Sequence, residues 1–173
     1  MPRMFHTLAL AAACFTLGAG TAAARDATPA NPQVDYAGFV ELAARLAPVR
    51  EAHRLGWADW VTGARSSNAI LLDTRSAEAF ARGHIRGAVN LPFSDFTDEK
   101  LSVVLGADKN RPLYIYCNNN FRDDRPPVAL KRAVLALNIP TFVNLHGYGY
   151  TNVWELADVV GTGDLHVEWV TGA

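Results

Sequence analysis

One cysteine stands where a run of β-forming residues ends. Leu113-Tyr114-Ile115-Tyr116 leads into Cys117, which is followed by Asn118-Asn119-Asn120-Phe121-Arg122. A short continuous run of apolar and aromatic residues predicts a strand buried on both faces. In an open α/β sheet such a strand delivers the next residue to the carboxyl-end rim, where ligands bind. A thiol at that rim is a candidate nucleophile, because its ionisation responds to neighbouring N–H groups and cations. Asn118, Asn119 and Asn120 tolerate left-handed backbone, so a tight loop is expected here without glycine. Arg122 offers a bidentate grip for an anionic substrate. Asp123-Asp124-Arg125-Pro126-Pro127 then predicts a helix start, with acidic N-cap candidates and proline in the first turn. A buried structural cysteine is the other reading of Cys117, but a polar loop ending in arginine is a poor place for one.

The remaining chemistry-bearing residues are scattered. Asp73 and Arg75 fit either the rim of a site, with Arg75 helping to bind substrate, or a structural ion pair. His84 stands between Gly83 and Ile85, where a hydrogen-bonded structural role outweighs a catalytic or zinc-binding one. No spacing places His84 or His146 as a base against Cys117, and a lone cysteine with dispersed histidines lacks the pattern of a metal site. Sixteen Lys and Arg against 17 Asp and Glu give a formal charge of −1. That balance shows no basic excess for nucleic acid or an anionic membrane.

The elements that must position these residues are legible from patterning. Arg3, the apolar run Leu8 to Gly18 and Ala22-Ala23-Ala24 predict a secretory signal over residues 1–24, cut after Ala24. Its apolar run is too short to span a bilayer, so no stable membrane insertion is expected after cleavage, and a periplasmic or secreted location follows. Cleavage removes Cys14 and leaves Cys117 alone, so no internal disulfide can form. A mature chain of about 150 residues can be held by its core, burying roughly 70% of its unfolded surface.

Residues 25–35 predict a flexible leader, and residues 36–173 one domain opening with a helical extension. Apolar spacing predicts a helix from about Asp35 to Ala47, ended near Pro48, and a second from Trp57 to Gly63. Strands are expected at Ala69–Asp73, Val89–Leu91, Leu113–Tyr116 and Phe142–Leu145, with an edge strand at Leu165–Val170. Helices are expected at Ser76–Arg82, from a Thr97 cap to Leu105, at Val128–Leu137 and at Tyr150–Val160. Alternating strands and helices predict a mainly parallel α/β sheet.

Leu71-Leu72-Asp73-Thr74-Arg75, then Glu78 and Phe80, then Gly83-His84-Ile85-Arg86-Gly87-Ala88-Val89-Asn90-Leu91-Pro92 resembles the rhodanese (thiosulfate sulfurtransferase) signature. Cys117 follows where that family carries its nucleophile, and Leu145-His146-Gly147-Tyr148-Gly149 resembles its glycine turn. The resemblance runs from about Trp57 to Val160. It implies a five-stranded parallel sheet with helices on both faces and a cysteine that carries sulfane sulfur as a persulfide. It also implies a small-molecule sulfur donor, a thiol or cyanide acceptor and no cofactor. Asn118, Asn119, Asn120, Phe121 and Arg122 would then form the substrate loop. Its Cys-x4-Arg spacing is shorter than the Cys-x5-Arg of phosphatases with this fold, so negligible phosphatase activity is expected.

Overall fold

The computed structural model of the protein describes residues 31–172. The expected signal segment and the first part of the leader lie outside them. Residues 31–34 form a turn, in which the Val34 N–H donates to the Asn31 carbonyl at 3.1 Å. From Asp35 onward the described chain is a separate unit. Among the described residues no helix is long and apolar enough to cross a membrane.

The unit is organised on five parallel strands: β1 (Arg54–Leu55), β2 (Ile70–Asp73), β4 (Val89–Asn90), β5 (Leu113–Tyr116) and β6 (Val153–Leu156). They run β1-β6-β5-β2-β4 across the sheet, so β5 is the middle strand. Two further short strands, β3 (His84–Ile85) and β7 (Trp169–Val170), pair with each other antiparallel. All four residues of β2 and of β5 are buried, the pattern of strands covered on both faces. Alternate residues serve opposite layers. Ile70, Leu72, Leu113, Ile115 and Val153 pack with Leu101 and Leu105 of α4 (Asp98–Leu105) and Phe142 and Leu145 of α5 (Asn138–Gly147). Leu71, Tyr114, Tyr116 and Leu156 pack with Trp60 of α2 (Trp57–Ala64), Ile85 and Val167. The mainly parallel five-stranded α/β sheet expected from the sequence is therefore the fold observed.

Local signals place the first half of the chain. The Ser76 hydroxyl caps α3 (Ala77–Arg82) by accepting the Ala79 N–H at 3.2 Å. Thr97 does the same for α4 through the Lys100 N–H. One boundary differs: α1 (Tyr36–Ala52) runs through Pro48 instead of stopping there. Its last turn is tied to the sheet, since Arg50 pairs with the buried Glu155 at 2.5 Å and the His53 ring stacks on Trp154.

The second half departs further from the sequence reading. Val128–Leu137 is not a helix but an irregular segment with one 3-10 turn at Ala133–Leu135, and Val134 and Leu135 are 80% and 66% exposed. Side chains occupy the backbone groups a helix would need. Asp124 accepts the Leu130 N–H at 3.0 Å, and the Asn119 amide bonds both the N–H and the carbonyl of Lys131 at 3.2 and 2.7 Å. Asp123, expected as a cap, instead accepts the Thr162 N–H at 2.6 Å. The helix begins at Asn138, so the strand expected at Phe142–Leu145 lies inside α5. The helix expected at Tyr150–Val160 is instead β6 and the chain beyond it. Gly149, at φ +88°, makes the turn between them. Pairing of Leu113, Tyr114 and Ile115 with Val153, Trp154 and Glu155 decides the strand. The edge strand expected at Leu165–Val170 shrinks to β7, which joins β3 rather than the main sheet.

Candidate active site

Cys117 sits directly after β5, at the carboxyl end of the middle strand. Asn118–Asn120 then makes one 3-10 turn with ordinary negative φ angles, so the left-handed loop expected from the asparagines does not form. The Asn119 N–H donates to Cys117 Sγ at 3.4 Å. The backbone N–H groups of Leu137 and Asn138, at the start of α5, lie near enough to favour its ionised form. The sulfur thus sits at a backbone turn and near a helix start, both settings that favour an anion. Cys117 itself is 0% exposed. Burial pushes its thiol above the ordinary value, and the nearby Glu155 carboxylate adds to the rise, while the three N–H groups pull the other way. Burial thus outweighs the neighbouring N–H groups and disfavours the thiolate.

A buried polar network lies under the cysteine. The Asn120 carbonyl oxygen accepts the Cys117 N–H and an Asn138 amide N–H, both at 2.9 Å. Its own amide donates to the Leu156 and Asp158 carbonyls at 2.8 and 3.1 Å. Asn138 also donates to Glu155 at 3.3 Å, and Glu155 is held by Arg50. Glu155 Oε2 has no hydrogen-bond partner among the described residues.

Beside the cysteine opens a cavity of about 490 Å³. Thr74–Ala77 and Ala79 follow β2, Pro92–Asp95 follow β4, and Asn118 follows β5; Pro127, Ala129, Lys131 and Leu137 complete the wall. Three parallel strands contribute their carboxyl ends, where open α/β sheets bind ligands.

The residues named from the sequence divide. Asn118 lines the cavity, while Cys117 before it is buried and does not. Asn119 turns to Lys131, and Asn120 is 4% exposed beneath the loop. Phe121 enters the apolar layer against Tyr116 and Trp169, and its backbone bridges Val160. Burying such a ring is worth roughly 2–3 kcal/mol, and it draws the next residue off the loop. Arg122 consequently binds Asp164 at 2.8 and 3.0 Å and does not line the cavity. Gly161 permits that position, because a Cβ there would lie 2.2 Å from the Arg122 guanidinium. Arg75 borders the cavity, yet its guanidinium is buried against Asp73 at 2.6 Å and the Gly83 carbonyl at 2.7 Å. The Asp73–Arg75 pair is thus structural. His84 bonds the Phe80 carbonyl at 2.9 Å and stacks on the Phe80 ring, and His146 bonds the Phe142 carbonyl at 3.0 Å and stacks on the Phe142 ring. Among the described residues no three His, Cys, Asp or Glu side chains gather as a metal site.

The sequence profile of the rhodanese-like domain matches residues 58–158. The chain belongs to the rhodanese-like domain family. Over 64 residues it is 34% identical to the uncharacterized protein YqhL of Bacillus subtilis, a match covering 37% of this chain and 48% of that protein, so it spans about half the relative's length. A solved structure described as rhodanese with anions from E. coli is 25% identical, with a TM-score of 0.40, covering 60% of this chain and 99% of that one. The thiosulfate sulfurtransferase from Pseudomonas aeruginosa is 22% identical, with a TM-score of 0.44, covering 69% of this chain and 20% of that one.

Within this rhodanese-like domain, Leu137, Asn138, Glu155 and Lys131 escaped the sequence reading. Asn138-Ile139-Pro140 does carry a helix-start signal, proline in the first turn, but the apolar spacing of Val128–Leu137 overrode it. Glu155 is a lone charge within the apolar run Val153-Trp154-Glu155-Leu156, and an unshielded carboxylate there needs a partner.

Proposed function

We propose that this rhodanese-like domain is a sulfurtransferase in which Cys117 carries sulfane sulfur from a small-molecule donor to a thiophilic acceptor, a thiol or cyanide. The observation that supports it is the Asn119 N–H bonded to Cys117 Sγ at the start of a turn, next to Asn118 and Leu137 of a cavity at the carboxyl ends of β2, β4 and β5. The thiol first loses its proton to solvent. Its thiolate attacks the outer sulfur of the donor, forming an Sγ–S bond as the donor's S–S bond breaks and its electron pair departs with the leaving group. The acceptor then attacks the outer sulfur of the persulfide, and Cys117 leaves as thiolate. Both displacements develop negative charge at or next to Sγ, where the Asn119 N–H and the nearby start of α5 stabilise it. The two steps balance without a cofactor.

A second reading has an observation of its own. The complete burial of Cys117 and its suppressed ionisation disfavour turnover, which fits a non-catalytic binding or redox-sensing module that uses the same thiol. Turnover separates the two. Incubation with a sulfane donor and excess cyanide should release thiocyanate over many cycles, and Cys117→Ser should release none. Reversible oxidation of Cys117 without turnover would favour the sensor. Export is proposed from the charged, apolar and A-A-A pattern of residues 1–24. Amino-terminal sequencing of the native protein should begin at Arg25, and material beginning at Met1 would overturn it.

A further inference from the structure

We propose that Arg50, in the last turn of α1, is a positioning residue for Cys117: by pairing with the buried Glu155 it holds together the polar chain beneath the cysteine turn and offsets the charge of that carboxylate. α1 precedes residues 58–158, the part of the chain that the family profile matches. The reactivity of the thiol is thereby tied to a helix outside that part, whether the thiol carries sulfur or senses redox state.

Hydrogen bonds connect the two residues link by link. Arg50 Nη2 donates to Glu155 Oε1 at 2.5 Å. The Asn138 side-chain amide donates to the same oxygen at 3.3 Å and to Asn120 Oδ1 at 2.9 Å. Asn120 Oδ1 in turn accepts the Cys117 N–H at 2.9 Å. Glu155, Asn138, Asn120 and Cys117 are all buried, while Arg50 brings its charge in from the edge, its side chain 26% exposed. The ion pair rests on a single contact, since Arg50 Nε and Glu155 Oε2 are both buried without a hydrogen-bond partner among the described residues. A carboxylate this buried is left uncompensated when its cation is removed.

Charge gives the link a chemical consequence. The Glu155 carboxylate disfavours the Cys117 thiolate, and a cation in contact with that carboxylate cancels part of its field at the sulfur. Among the described residues only Arg50 makes an ion pair with Glu155. The other ionisable side chains on the surrounding elements are engaged elsewhere or face solvent. Asp73 and Arg75, at the end of β2, pair with each other, and Tyr116 of β5 donates its hydroxyl to Asp73. His53 after α1 and His146 of α5 bond the Val153 and Phe142 carbonyls. Asp158 after β6 accepts the Trp57 N–H, and Lys131 before α5 is exposed.

Alkylation of Cys117 by iodoacetamide, followed by peptide mass on the full chain across pH, reads the thiolate without a sulfur donor. Arg50→Met should raise the alkylation midpoint by about half to one pH unit, slowing the reaction about three- to tenfold below the midpoint. Arg50→Lys keeps the charge and should stay within about twofold of the native rate. With Glu155→Gln in place, adding Arg50→Met should change the rate by less than about twofold, because the charge it offset is gone. An unmoved midpoint in Arg50→Met, or an equal rise with and without Glu155→Gln, would overturn the proposal. So would an Arg50→Lys variant as slow as Arg50→Met, the mark of a purely structural contact. If Arg50→Met alone does not fold, Glu155→Gln and the double variant carry the test, and a difference above about threefold between their rates overturns it. Loading of the native protein from a sulfane donor is a separate measurement, so sulfur transfer and the role of Arg50 stand or fall independently.

Discussion

Replacing Asn120 with alanine tests whether the three asparagines after Cys117 do different work. Asn120 makes four hydrogen bonds while 4% exposed: two accepted, from the Cys117 N–H and Asn138, and two donated, to the Leu156 and Asp158 carbonyls. In Asn120→Ala, Asn138 keeps its bond to Glu155, and the carbonyl of the exposed Asp158 can hydrate. The Cys117 N–H and the Leu156 carbonyl are left buried, having lost this partner. At about 1–3 kcal/mol for each orphaned buried group, the loss should reach roughly 2–5 kcal/mol. Asn118 makes no side-chain hydrogen bond among the described residues, so Asn118→Ala should change stability by no more than about 0.5 kcal/mol. Urea unfolding at constant slope reads both values. Equal costs for the two variants, or a loss below about 1 kcal/mol for Asn120→Ala, would refute the assignment of Asn120 as the keystone of the cysteine turn.

Arg122→Ala should leave sulfur-transfer kcat/KM within about threefold of native, because the Arg122–Asp164 pair is half exposed and outside the cavity; a loss of about a hundredfold would return the arginine to the site. Asn119→Ala removes both bonds that hold Lys131, so the segment flanking Cys117 should open more often and iodoacetamide should modify the thiol about five- to thirtyfold faster. An unchanged or slower rate would contradict that. Alkylation of the native protein should rise with pH to a midpoint above that of a free cysteine, and Glu155→Gln should lower the midpoint by removing a charge that disfavours the thiolate; an unmoved midpoint would show that Glu155 does not act on the sulfur. Since the folded thiol holds its proton more tightly than the unfolded one, its stabilising share is full below the unfolded value and is lost as pH rises through the folded value. Cys117→Ala should therefore flatten the alkaline fall in stability seen by urea unfolding, and an unaltered fall would refute the shift.

What the sequence made legible followed from local physics. Buried runs in β2 and β5, and the Ser76 and Thr97 caps, are set by residues within a few positions of one another, and the structure keeps them. The placement of Cys117 at a strand end is of the same kind. The failures lie where distant partners decide. Val128–Leu137 has helical apolar spacing, but Asp124 and Asn119 capture its backbone from outside the segment. Phe142–Leu145 looks like a strand, yet the middle of the sheet is filled by Val153–Leu156 because Leu113, Tyr114 and Ile115 pair there. Arg122 reads as a loop cation until Phe121 is seen to enter the core and carry it to Asp164. The raised thiol has the same origin. Donors at a helix start can be guessed from sequence, but the burial and the Glu155 charge that outweigh them arise only on folding.

The central claim is that Cys117 becomes a persulfide, and intact mass after exposure to a sulfane-sulfur donor tests it most directly. Native protein should gain the mass of one sulfur atom, lose it on addition of cyanide or a thiol, and gain it again on fresh donor, while Cys117→Ser should gain nothing. A native protein that stays unmodified across inorganic and organic donors, or a Cys117→Ser variant that gains the same mass, would contradict the account.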